Sequence, residues 1–270
     1  MPAREKTKAA PGASASGGSG SGSVPIWLVR DAASLSAIGV CAAGVVLVVL
    51  TSRFLPLDAR LWAAHAYFAL LYWVPGVLAR GASSGAFEAW LRRSNVRWEQ
   101  RAEALPLAVR TAAEFTYLLC YPALPAGFVV VWLHSPDAAS RYLLTVLVTA
   151  FACFAPLPWL ISRPPGKPSG PAHDGAERRR ASLGRRDTPM TAVNRFVLSH
   201  VSHGMNTFPS GHVAVCAAAA WRAADAVPVA GVVMALVAAG VAVGAVTGRH
   251  HYAVDVAAGA GVALAVRLVT

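Results

Sequence analysis

Seven apolar segments constrain this chain more than anything else in it. They lie near residues 33–53, 61–79, 108–133, 141–162, 209–224, 227–247 and 251–269. Most approach the length of about 20 residues that a helix needs to cross the hydrocarbon core of a bilayer. Backbone polar groups in that core must be paired within the segment itself. The expectation is an all-α fold, a polytopic membrane helix bundle of about six to seven transmembrane helices. Composition agrees: 56% of the 270 residues are hydrophobic and only 14% are charged, against about 25% charged in a soluble domain. The fifth segment is the short one, and it ends in Arg222 and Asp225.

The stretches between the segments differ in character. Residues 1–32 are a basic, Gly/Ser-rich tail expected to be disordered, which leaves 33–270 as the membrane-embedded domain. Residues 81–107 set Phe87, Trp90, Leu91 and Trp98 among Arg92, Arg93, Arg97 and Arg101. That pattern suits an amphipathic helix lying in the membrane interface; a soluble helical connector is the alternative. Residues 163–208 read as a polar loop with basic runs at Arg178-Arg179-Arg180 and Arg185-Arg186. Trp62, Trp73, Trp90 and Trp98 mark an interface belt. Cys41, Cys120, Cys153 and Cys216 are scattered singly, so neither a disulfide framework nor a zinc site is indicated.

The net charge of +11 sits between apolar runs, where Lys and Arg act as topology signals and contacts for anionic lipid. No nucleic-acid partner is expected. With seven spans, 19 of the 24 lysines and arginines fall on the face that carries the motifs below. Arg53, Arg60, Arg141, Arg222 and Arg267 fall on the other. This bias predicts a multi-pass protein of the cell membrane with its active face in the cytoplasm.

Two stretches near the C-terminus carry the chemistry. In Asn206-Thr207-Phe208-Pro209-Ser210-Gly211-His212, Ser210 is placed to cap a helix. The free N–H groups and positive dipole end of such a helix favour a phosphate. In Gly248-Arg249-His250-His251-Tyr252-Ala253-Val254-Asp255, His251 and Asp255 are four residues apart, so on a helix they share a face. An imidazole held in one tautomer by a carboxylate is prepared for attack or proton transfer. A metal held by His212, His251 and Asp255 would stand among arginines, which disfavours a cation; no metal and no cofactor is expected. Glu114, with Tyr117 and Tyr121 at helical spacing, either lines the substrate cavity or ties helices together. His200, His203 and His250 read as solvated loop residues.

The Phe-Pro-Ser-Gly-His segment at 208–212, followed by His-x-x-x-Asp at 251–255, resembles the type 2 phosphatidic acid phosphatase superfamily. Asn206 through Val213 and Gly248 through Tyr252 resemble its branch related to inositol phosphorylceramide synthases. The resemblance runs from about residue 60 to the end and implies a six-helix phosphatase-like core. It implies His251 as the phosphate-attacking nucleophile, Asp255 as its orienting carboxylate and His212 as the general acid. It assigns Ser210, Gly211 and Arg163 (of Arg163-Pro164) to the phosphate oxygens. The family's first-motif lysine is replaced here by Pro156, with Lys167 as the substitute. Its third-motif Ser-Arg is Gly244-Ala245, and Arg249 takes the arginine's place. The implied function is a membrane lipid phosphatase, a metal-independent phosphoric ester hydrolase. It would act on a lipid phosphate or diphosphate through a phosphohistidine. One alternative moves a phosphate-containing headgroup to an alcohol acceptor. Another is a non-catalytic membrane binding protein or transporter that keeps the fold.

Overall fold

The computed structural model describes residues 54–79, 85–167 and 187–270, with Gly39, Ala43, Val46 and Leu50 as isolated positions ahead of them. The tail at 1–32, the rest of the first apolar segment at 33–53 and the basic runs at 178–186 lie outside the described residues. Among the described residues the elements are all helices. They are α1 (Leu57–Leu78), α2 (Gly85–Glu103), α3 (Leu107–Leu118), α4 (Cys120–His134), α5 (Pro136–Phe154), α6 (Pro189–Val201), α7 (Gly211–Ala226), α8 (Pro228–Thr247) and α9 (Ala253–Val269).

The all-helical membrane bundle expected from the apolar segments is the one that forms. α5, α8 and the Leu61–Leu78 part of α1 are long and apolar enough to cross a membrane, and α3 with α4 adds a fourth span when the pair is counted as one. Six or seven spans are reached only by adding α7 and α9, which have 16 and 17 residues, and the first apolar segment. Each of these two helices starts two residues later than its expected segment, at 209–224 and 251–269, because the first residues go to the turns that carry the motifs; α7 recovers its length by running on to Ala226, and α9 does not. The segment at 108–133 is broken at Leu119, where α3 and α4 meet at 50°. Pro122 has no N–H to give the Leu118 carbonyl, so the helical ladder cannot pass through this point unbroken.

The polar loop expected over 163–208 contains a helix, α6. Thr188 starts it: its hydroxyl accepts the N–H groups of Met190 at 3.2 Å and Thr191 at 3.1 Å, while Thr191 Oγ1 accepts the Thr188 N–H at 3.0 Å. This reciprocal cap followed by Pro189 is a strong helix start. Glu114 decides where α6 sits. Its Oε2 accepts from Thr188 Oγ1 at 2.7 Å and Thr191 Oγ1 at 2.9 Å, and Asn194 Nδ2 donates to its backbone carbonyl at 3.0 Å. Of the two roles open for Glu114, the structure gives it the tie between helices.

At the centre is α7, packed against α8, α5, α9 and α4. Its buried face is made of Ala214, Ala218, Ala219, Ala220 and Ala223. Small side chains let helix backbones approach closely where dispersion, not water exclusion, drives association. The lipid-facing sides carry the large apolar residues instead, such as Val232, Val233 and Leu236 on α8.

Candidate active site

The site is assembled where α7 and α9 begin. Ser210 occupies the N-cap position of α7, yet its hydroxyl makes no capping bond and is buried without a partner among the described residues. Thr207 Oγ1 accepts the Gly211 N–H instead, at 3.3 Å. Ser210 works through its backbone: its N–H donates to the Asp255 carbonyl at 3.0 Å. Gly259 makes room for this approach, since a Cβ there would lie 2.6 Å from the Ser210 carbonyl oxygen. The two helix starts are therefore locked side by side.

α8 ends at Thr247, and the chain turns through Gly248 and Arg249. Arg249 has φ 57°, the left-handed conformation that commonly follows a helix end. The N–H groups of His250 and His251 then both donate to the Ala245 carbonyl, each at 2.9 Å. His251 thus lies in the turn ahead of α9, not on the helix it was expected to share with Asp255. The turn still brings the two together: His251 Nδ1 is 3.6 Å from Asp255 Oδ2. That oxygen accepts the Tyr252 N–H at 2.9 Å, which fixes the fully buried carboxylate over the helix start. On the other side of the ring, His251 Nε2 is 3.3 Å from His212 Nδ1. Asp255, His251 and His212 form one line.

The strip at 162–167 is sewn to both motifs. Asn206 N donates to the Ser162 carbonyl at 3.0 Å and Asn206 Nδ2 to Ser162 Oγ at 2.9 Å. Tyr252 Oη donates to the Arg163 carbonyl at 3.0 Å, and Gly166 N to the Arg249 carbonyl at 3.1 Å. Lys167 Nζ donates to the Gly204 carbonyl at 3.2 Å. Burial, and after it the neighbouring Arg163 charge, hold the Lys167 ammonium below its ordinary pKa.

A polar pocket of about 350 Å³ opens over this line, walled by His212, His251, His250, Lys167, Arg249 and Thr207 among others. Ser210 lies fully buried behind it, and Gly211 faces an apolar cavity on the other side of His212. Of the expected phosphate-binding residues, Lys167 and Arg249 reach the pocket wall, and Arg163 stands beside Lys167.

Several neighbours were not legible in the motifs. Arg249 pairs with Glu103 and lies 4.0 Å from Glu99, both on α2. Asn95, also on α2 and buried, accepts the Ala253 N–H at 3.0 Å and so caps α9 from outside. The spacing of Asn95, Glu99 and Glu103 at four-residue steps was the available signal. His203 and His250 are not the solvated loop residues expected. His203 is buried against Tyr72, with ring centroids 4.3 Å apart, and His250 stacks on Tyr117 at 4.3 Å and lines the pocket. His200 is exposed, with Nδ1 2.8 Å from the Phe196 carbonyl. Among the described residues, no group of three or more His, Cys, Asp or Glu side chains is arranged to hold a metal ion.

A family model described as the PAP2 superfamily matches residues 86–269, more than half of the chain. The chain belongs to the type 2 phosphatidic acid phosphatase (PAP2) superfamily. The matched stretch runs from α2 to the end of α9, so it includes every residue of the histidine line and the pocket named above. For a PAP2 protein the general activity is phosphatase or phosphotransferase chemistry on lipid phosphates. No match is found among curated proteins or among solved structures.

Proposed function

We propose that this PAP2 protein is a membrane lipid phosphatase that works through a phosphohistidine on His251. The observation that carries this reading is the line of Asp255, His251 and His212 beneath a pocket walled by the basic side chains of Lys167, Arg195 and Arg249. Asp255 lies 3.6 Å from His251 on the Nδ1 side, where a small closure would hold the His251 proton. Nε2, which faces His212 Nδ1 at 3.3 Å, is freed for attack when the two rings part. Nε2 attacks phosphorus, the bond from phosphorus to the lipid oxygen breaks, and His212 gives its proton to that oxygen. Water then attacks the phosphohistidine, its proton passes to His212, the N–P bond breaks and inorganic phosphate leaves. Lys167, Arg249 and Arg163 stabilise the charge on the non-bridging oxygens. A phosphorus atom with its leaving oxygen needs more room than the 3.3 Å between the two histidine nitrogens, so the rings part as substrate enters.

The apolar cavity supports a lipid as substrate. It measures about 290 Å³, lies among α1, α4, α5 and α7, and shares Tyr72 and His212 with the polar pocket. A leaving group that departs toward His212 passes directly into it. A cavity walled by Phe68, Leu124, Val146 and Phe154 favours hydrocarbon over water.

The deciding measurement is phosphate release by the purified protein in detergent, from a panel of lipid phosphates and diphosphates, with EDTA present. Release is expected to persist in EDTA and to fall by on the order of 10³ or more in His251→Ala. Turnover only when an alcohol acceptor is added would replace hydrolysis by headgroup transfer. No turnover in either case would leave a binding protein.

A further inference from the structure

Helix α2 is amphipathic in an inverted sense. Its inner face carries Glu88, Arg92, Asn95 and Glu99, with Leu91 and Ala102 between them. Its outer face carries Arg93, Arg97 and Arg101, one above another at four-residue spacing, flanked by Trp90 and Trp98 at 44% and 47% exposure. Arg101 lies over the Trp98 ring, 5.1 Å from its centroid. None of these three arginines pairs with a carboxylate among the described residues. Like charges at this spacing destabilise a helix unless an anion offsets them. Exposed indole rings beside guanidinium groups suit the headgroup level of a bilayer.

The inner face reaches all three motif strips. Arg92 Nη2 donates to the Lys167 carbonyl at 2.8 Å, Phe87 packs edge-on against Phe208 at 5.4 Å, Asn95 accepts the Ala253 N–H, and Glu103 pairs with Arg249. The same helix that would touch the membrane surface therefore holds the site in register.

We infer that the outer face of α2 is a binding site for anionic lipid headgroups, and that its occupation steadies the turn from Gly248 to Asp255. Charge complementarity selects the occupant. Three unpaired arginines in one stripe attract a negatively charged leaflet and gain nothing comparable from a zwitterionic one. The inference uses the location of the site and not its chemistry, so it stands or falls separately from the phosphatase reading.

Amide hydrogen exchange of the full chain in nanodiscs tests it without any turnover. Exchange at 248–255 is expected to be at least about threefold slower in discs containing a third phosphatidylglycerol than in pure phosphatidylcholine. The triple variant Arg93→Gln, Arg97→Gln, Arg101→Gln should exchange in both discs as the native protein does in phosphatidylcholine. Asn95→Ala combined with Glu99→Gln and Glu103→Gln, which keeps the three outer arginines and cuts the links of α2 to Ala253 and Arg249, should lose the lipid difference at 248–255. Equal exchange of the native protein in the two lipids overturns the inference. So does a lipid difference that survives in either variant.

Discussion

Arg249 combines two features that usually conflict. Its backbone sits at φ 57°, which costs a non-glycine residue on the order of 1 kcal/mol, and its guanidinium is engaged by Glu103 with Glu99 nearby. A glycine would satisfy the turn but remove the cation. The retained strain is consistent with a side chain that matters, and its place on the pocket wall says where. On the phosphatase reading, Arg249→Ala should lower kcat/KM by roughly 10- to 150-fold, the worth of a hydrogen bond to a charged group. Arg249→Lys should recover only part of this, because an ammonium lacks the two-pronged fork. Lys167 makes a pH-dependent counterpart. Burial first, and Arg163 second, push its pKa down, so the cation is present at low pH and lost as pH rises through a value below the ordinary lysine range. The alkaline limb of kcat/KM should therefore fall early in the native protein. It should move to higher pH in Lys167→Arg, whose charge does not titrate there.

At the scale of elements, what the sequence made legible followed from periodicity and spacing, and what it hid followed from contacts between distant segments. The His251–Asp255 pairing was readable because four-residue spacing survives in a turn that leads into a helix, as the 3.6 Å separation confirms. The capping role assigned to Ser210 was not, because Thr207 and the cross-bond to Asp255 outcompete a cap that local chemistry favours. α6 was hidden for a similar reason: thirteen residues embedded in a polar stretch are too few to stand alone. They depend on Glu114, 74 residues before Thr188. That dependence is testable. Glu114→Leu removes the acceptor shared by Thr188 and Thr191. Because the two hydroxyls lie 3.2 Å apart, only one can then use the other as acceptor. The loss should destabilise the protein by about 1–3 kcal/mol, read as a lower midpoint of thermal unfolding in detergent. Glu114→Gln keeps an acceptor oxygen and should lose less. Equal midpoints for the leucine variant and the native protein would remove Glu114 as the tie.

At the scale of the whole molecule, the charge asymmetry becomes a geometry. Lys167, Arg249, Arg163 and the α2 arginines gather around the start of α7, while Arg222 and Arg267 share Asp225 near its end. Thirteen residues separate His212 from Asp225, about 20 Å along a helix. Arg141 lines the same small pocket as Arg222 and Asp225. Among the described residues, Arg141, Arg222 and Arg267 of the lesser face thus cluster together at the far end, as a two-sided membrane arrangement requires. We read the richer face as cytoplasmic by the positive-inside bias. Some of its charge would serve phosphate and headgroups rather than topology, and removing Arg163, Lys167 and Arg249 still leaves 16 basic residues against five. Cysteine accessibility decides the matter. Cys120, Cys153 and Cys216 are buried, so with Cys41 replaced by Ala a single new thiol reports its own side. Ser199→Cys, at an exposed position beside the site, should react with an impermeant maleimide only after the cells are opened. Ser140→Cys, half-buried next to the exposed Arg141, should react in intact cells. The reverse pattern would put the histidines on the outer face. Its excess of arginine would then be a property of the substrate site and its lipid surface, held against the topological bias.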